Sequence, residues 1–134
     1  MMKKIVFYLS LTVALFFTVS CNKGREIGKW DDNIKLSQKT ASFNASNNSI
    51  VVTTETTGWW LNGISLNKTY VDLKNIEKMG QNFVVIQPDF KVERKDGNKI
   101  IITMNQNTSN SDRLLGIYLQ NGNYFDGIEI SQSK

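Results

Sequence analysis

From residue 34 onward, apolar side chains recur at every second position in short runs, each closed by Asn, Gly, Asp or Ser. A repeat of two places alternate side chains on opposite faces of a strand, whereas a helix needs a repeat near 3.6. Many short runs with turn residues between them predict an all-β sandwich. The candidate strands are "IKLSQ" (34–38), "ASFNA" (41–45), "SIVVTTET" (49–56), "WWLNGISL" (59–66), "NFVVIQ" (82–87), "FKVERK" (90–95), "KIIITMNQ" (99–106), "RLLGIYLQ" (113–120) and "YFDGIEISQ" (124–132). "KDGNK" and "QNGNY" supply Asp-Gly and Asn-Gly, the dipeptides that close hairpins because their residues tolerate positive φ. Only residues 69–80, "TYVDLKNIEKMG", have partly helical spacing, and they read as a loop or one short helix crossing between sheets.

Strand parity assigns faces. Ile100, Ile102 and Met104 share one side; Leu115, Ile117 and Leu119 form an inward set, with Tyr118 outward; Ile128 and Ile130 point in, Glu129 and Ser131 out. The adjacent pair Trp59-Trp60 is then split between faces unless a bulge intervenes. Trp60 has the parity of Ile64 and Leu66 and is expected inside, in the core-tryptophan role of a sandwich. Trp59 is the candidate ligand contact, since an exposed indole offers a flat apolar face and an N–H donor. The competing reading packs Trp59 under the 67–82 crossover. Trp30 is expected to pack at the base of the domain, and Arg113 to hydrogen-bond loop carbonyls rather than clamp a ligand.

The first residues, "MMKKIVFYLSLTVALFFTVSC", follow an export pattern. Lys3 and Lys4 precede an apolar run from Ile5 to Val19, and Ser20 stands before Cys21. The run is shorter than the roughly 20 residues of a membrane-spanning helix, so residues 1–20 read as a cleaved signal helix. Cys21, the only cysteine, cannot form an internal disulfide. Its position resembles a bacterial lipobox with Thr18 and Val19 in the preceding places. That resemblance implies acylation of Cys21 and stable membrane anchoring, since several acyl chains anchor where one does not. Residues 21–33 read as the lipidated tether and 34–134 as one domain. Two of the four net positive charges belong to Lys3 and Lys4 and leave with the signal. The basic cluster Lys91, Arg94, Lys95 and Lys99 is interleaved with Glu93 and Asp96 and reads as a solvated hairpin, so no nucleic-acid partner is expected.

The chain has no histidine, the commonest general base and metal ligand. With Cys21 acylated no thiol nucleophile remains. Asp31-Asp32 lie near the tether, and a pair such as Glu55 and Asp126 is not singled out by any pattern. No Asp-x-Asp-x-Asp-Gly loop offers a calcium site. Enzyme activity, a metal and a cofactor are therefore not expected.

The ordered set Leu36-Ser37, Phe43, Trp59-Trp60 after a Val/Thr strand, Asn107-Thr108, Arg113 and the final Ile128–Gln132 strand resembles the BACON-like domain (Bacteroidetes-associated carbohydrate-binding often N-terminal). The likeness spans nearly all of the chain after the tether; the 62–90 segment is longer than the pattern. It implies an immunoglobulin-like β-sandwich of about seven to nine short antiparallel strands, carried on a lipoprotein of the Bacteroidetes envelope, with the outer membrane as its expected site. It implies a glycan ligand or adhesion; the alternative is a structural or protein–protein module beside another envelope protein. "CNKGRE" is basic before it is acidic, which favours the periplasmic face over surface export and leaves the face open.

Overall fold

The computed structural model describes residues 30–134, so the signal segment and Cys21 lie outside the described residues. Nine strands run in order: β1 (Thr40–Phe43), β2 (Asn48–Thr53), β3 (Trp60–Leu66), β4 (Thr69–Tyr70), β5 (Phe83–Ile86), β6 (Phe90–Lys95), β7 (Lys99–Met104), β8 (Arg113–Asn121) and β9 (Tyr124–Gln132). They form a five-stranded sheet, β1-β9-β8-β3-β4, and a four-stranded sheet, β2-β7-β6-β5. β3, β8 and β9 take the C, F and G places of an immunoglobulin domain, and β2, β7 and β6 take B, E and D. The fold is an immunoglobulin-like β-sandwich, and no helix occurs among the described residues.

The alternation of the sequence becomes the core. Ile100, Ile102 and Met104 of β7 face Leu115, Ile117 and Leu119 of β8 and Ile128 and Ile130 of β9, all essentially inaccessible to solvent. Each such side chain contributes on the order of 1.5–3 kcal/mol when fully buried. Glu129 and Ser131 lie on the exposed side, as parity requires.

Three expectations are corrected. The segment 34–38 is not a strand; it makes a single bridge, Leu36 to Thr54, because the chain there crosses from one sheet to the other. Having crossed, β1 runs parallel to β9, so the strands are not all antiparallel. Of the two readings of residues 69–80 the loop holds and the helix does not: after β4, which pairs with β3, the chain crosses between the sheets in turns such as Gly80 N–H to Glu77 O, 3.0 Å. Leu73 anchors this crossover in the core while Met79 stays exposed. Trp30 is also exposed, because the chain is first pinned at Asp32 and Asn33. The Asp32 carboxylate accepts the amides of Ile34 and Lys35 at 3.0 and 2.8 Å, and the Asn33 carbonyl accepts the Thr56 hydroxyl at 2.6 Å.

The two turns marked by glycine form as expected, with positive φ at Asp96, Gly97 and Gly122. A third hairpin carries no glycine. Asn67 and Lys68 join β3 to β4 with φ of 49° and 68°, the conformation of a two-residue I′ turn. Asn67 is compensated by its side-chain oxygen, which accepts the Leu114 amide at 2.8 Å. Lys68 has no such compensation from its side-chain type, and a left-handed backbone costs an L-residue about 1 kcal/mol or more. Lys68→Gly is therefore expected to raise the urea midpoint, by about 0.5–1 kcal/mol of stability, at unchanged m; a lower midpoint would show that the turn is not strained.

Candidate functional site

Trp59 and Trp60 occupy the reverse of their expected places. Trp59 is 2% exposed and Trp60 is only partly buried. The reason is a β-bulge. β3 pairs with β8 as Leu61 to Leu119 and then Gly63 to Tyr118, so Asn62 is an extra residue. One inserted residue flips the parity, and Trp59 and Leu61 point inward together with Ile64. Trp59 is thus not an exposed ligand contact. Its indole N–H donates to the Thr54 hydroxyl at 3.0 Å, and the Arg94 guanidinium lies 3.5 Å from its ring centroid.

Arg94 itself is 1% exposed. Its Nη1 donates to the carbonyls of Trp59 and Gly80 at 2.8 and 3.0 Å, its Nη2 to those of Thr57 and Gly97 at 2.8 Å each, and its Nε to Gly97 at 3.0 Å. All five N–H groups of the guanidinium are used. Burial pulls its pKa down to about 10, so the cation persists at neutral pH, held by carbonyls and an aromatic face.

The exposed face of the five-stranded sheet carries a different aromatic group. Register places Gly63, Tyr118 and Gly127 side by side on β3, β8 and β9, with Ser65, Gly116 and Glu129 in the next row out. A Cβ on Gly116 would stand 2.5 Å from the Tyr118 hydroxyl. One on Gly63 would stand 3.6 Å from Tyr118 Cδ2, and one on Gly127 3.6 Å from Cδ1. The ring therefore spans the flanking strands edge to edge and runs along its own strand toward Gly116. Those three points lay it flat on the sheet with one face to solvent. Gly116 makes this possible, because a side chain there would stand in the ring's place, while Gly63 and Gly127 leave its two edges unflanked by side chains. Ser65 Oγ lies 3.0 Å from the Tyr118 hydroxyl oxygen and fixes its far end. Tyr70 of β4 leans in beside it, ring centroids 5.8 Å apart and planes tilted by 38°. Phe125 stands 59% exposed at the other end. Between Phe125 and Tyr118 a trough of about 370 Å³ runs over Gly116 and Gly127, with Lys39, Asp126 and Glu129 on its rim.

The rim is ordered by charge. Lys39 Nζ sits 2.7 Å from Asp126 and 3.8 Å from Asp32, and the Tyr124 hydroxyl donates to Asp126 at 3.1 Å. The Asp126 hydrogen bond raises the Lys39 pKa. Burial, with the same carboxylate beside it, raises that of Tyr124. Burial works to raise that of Asp32 too, but the amides of Lys35 and Ile34 and the Lys39 charge together hold it below its ordinary 3.8. The one rim cation is thus matched by two carboxylates, and Glu129 adds a third negative group.

The other residues marked by sequence have structural duties. Arg113 donates to the carbonyls of Asn105 and Gln106 and pairs with Asp89 at 2.9 Å, the loop-bonding role expected of it. Asn107 donates to the carbonyls of Ser111 and Ser133. Glu55 meets Lys35 and Asp126 meets Lys39, so each carboxylate of that pair has its own lysine. In the basic hairpin Lys91 lies 3.9 Å from Glu93 and Lys99 3.3 Å from Asp96, while Arg94 is inside. Among the described residues no three metal-ligating side chains come together. Sequence reasoning missed Tyr70, Phe125 and the glycine floor. A signal was present: "NGI", "LGI" and "DGI" each put a Gly outward next to an inward Ile.

No family model and no curated protein matches the chain. Among solved structures, a protein from Bacteroides thetaiotaomicron determined by NMR is similar over 78% of this chain and 90% of its own, at 16% identity and a TM-score of 0.61. The M1 domain of titin aligns over 74% of this chain and 91% of its own, at 10% identity and a TM-score of 0.45. A three-domain titin fragment, I67–I69, aligns over 75% of this chain and 30% of its own, at 9% identity and 0.41. The first likeness is one of fold alone.

The buried guanidinium yields a test. Lysine has three N–H donors and no plane to stack, so it cannot serve four carbonyls and an indole. Arg94→Lys is expected to cost about 3 kcal/mol in urea unfolding; a loss under about 1 kcal/mol would show that the cluster is not a stabilising unit.

Proposed function

We propose that the chain is a non-catalytic, lipid-anchored module of the cell envelope that binds carbohydrate through the outer face of the five-stranded sheet. The observation that carries this reading is the Tyr118 ring laid flat along the sheet toward Gly116, between Gly63 and Gly127. A flat, upturned aromatic ring is what the apolar face of a pyranose stacks on, and its site is prearranged, so little ordering cost remains at binding. Polar groups at the rim suit the equatorial hydroxyls. The ordered motifs that resemble BACON-like domains support the same ligand class, and Cys21 with its upstream segment supports anchoring in the outer membrane. The absence of histidine from the sequence supports a binding role over a catalytic one.

A second reading, a protein–protein module, has its own observation. The four-stranded sheet exposes Val51, Val84 and Ile86, the last at 71%, and β5 is an edge strand of the kind that accepts another chain.

The two readings separate on one substitution. On a glycan array, full-length protein is expected to bind neutral polysaccharide, and Tyr118→Ala to weaken it about tenfold or more, or about 1.4 kcal/mol. No binding by the parent would overturn the carbohydrate reading in favour of the second, and equal binding by both proteins would overturn Tyr118 as the site.

A further inference from the structure

Tyr70 stands between the Tyr118 ring of the trough and a second concavity. On one side its ring meets Tyr118. On the other it forms a wall of a hollow of about 400 Å³ at the open edge of the sandwich, with Thr69, Asp72, Gln87 and Asp89 around an apolar floor that includes Leu66 and Phe90. The β3–β4 hairpin supplies one side of this hollow and the turn between β5 and β6 the other. That turn is held firmly. Gln87 N–H donates to Phe90 O at 2.9 Å and Asn105 N–H to Asp89 O at 2.9 Å. Asn105 Nδ2 donates to Pro88 O at 2.8 Å, and Arg113 fixes Asp89. The hollow is therefore a built feature rather than a gap between loose loops.

We propose that the hollow is a second subsite on one glycan track, and that the ligand is a neutral, linear polysaccharide crossing the strands from Phe125 over Tyr118 and Tyr70 into it. This rests on the carbohydrate reading above and names its ligand class. The strands set the direction, since Phe125, Tyr118 and Tyr70 lie on β9, β8 and β4, which follow one another across the sheet with only β3 between the last two. The 5.8 Å between the two tyrosine rings is about the length of one pyranose unit, so successive sugars meet successive rings. Their 38° tilt fits a chain that twists from unit to unit, as free chains do, and not the flat face of a crystalline polymer. Charge sets the class. Lys39 is already matched by Asp126 and Asp32, Glu129 adds negative charge at the trough, and the two carboxylates that line the hollow are themselves paired, Asp72 with Lys74 at 3.3 Å and Asp89 with Arg113 at 2.9 Å. A polyanionic chain would find no unmatched cation among the described residues that line the track and would meet Glu129, while neutral hydroxyls find carboxylate and amide acceptors. A chain that reaches both subsites gains from the second without a second association cost.

Calorimetric titration of the full-length protein with cello-, manno- and maltooligosaccharides, from disaccharide to hexasaccharide, tests this. In the series that binds, affinity is expected to rise about tenfold or more with length. Gln87→Ala combined with Thr69→Ala should leave disaccharide affinity within about twofold and lower hexasaccharide affinity about tenfold. Oligogalacturonides, the anionic probe, should not bind. An affinity that stops rising at the disaccharide and ignores the double substitution would overturn the second subsite while leaving the Tyr118 site standing. Tighter binding of oligogalacturonides would overturn the ligand class. Failure of every neutral series, with Tyr118→Ala silent, would overturn the carbohydrate reading itself.

Discussion

One buried cation organises this sandwich. Arg94 stacks on Trp59 and gathers carbonyls from Thr57, Trp59, Gly80 and Gly97. Those four belong to the approach to β3, the end of the β4–β5 crossover and the β6–β7 hairpin, segments far apart in sequence. Such a group is costly to desolvate and becomes tolerable only when every donor is satisfied. Its geometry therefore leaves little freedom to the segments around it. Drawing Trp59 inward fixes where β3 begins, and the Asn62 bulge then restores the parity that Ile64 and its neighbours need.

That parity decides what the outer face looks like. With Asn62 absorbing the extra residue, Gly63 comes level with Tyr118 and Gly127, and the tyrosine's own row becomes a floor without flanking side chains. The tyrosine lies down on it because nothing stands in its way. The residues that hold the domain together and the residues that offer a surface are consequently different sets on opposite sides of the five-stranded sheet. Trp59 and Arg94 belong to the first, and Tyr118, Tyr70 and Phe125 to the second. A sandwich core built from Ile and Leu of β7, β8 and β9 leaves the outer face of the longer sheet free to vary.

Much of the fold was legible because burial has a period. The inward sets of β7, β8 and β9 and the outward Tyr118 follow directly from alternation, and two of the hairpins follow from Asp-Gly and Asn-Gly. The failures share a physical cause. Period-two reasoning counts residues, and a bulge changes the count without leaving a mark in composition; that is why Trp60 was expected inside and Trp59 out. The Asn67-Lys68 turn carries no glycine, so the short β4 strand behind it was invisible, and Tyr70 with it. The parallel β1–β9 pair comes from a crossing between sheets, which no local pattern encodes. The candidate site was hidden for a related reason. Its defining feature is the lack of side chains at Gly63, Gly116 and Gly127, and these become one surface only when the register of three strands is known.

On the proposed function, this glycine-floored aromatic face, and not the tryptophan pair, meets the ligand. The most direct test is a two-dimensional amide spectrum of the isotopically labelled protein titrated with a neutral oligosaccharide. The account predicts that the backbone amides of Gly63, Gly116 and Gly127 shift most, while the indole N–H of Trp59, bonded to Thr54 in the core, stays in place. Largest shifts at the Trp59 indole, or along β5 and β2 of the four-stranded sheet, would contradict it.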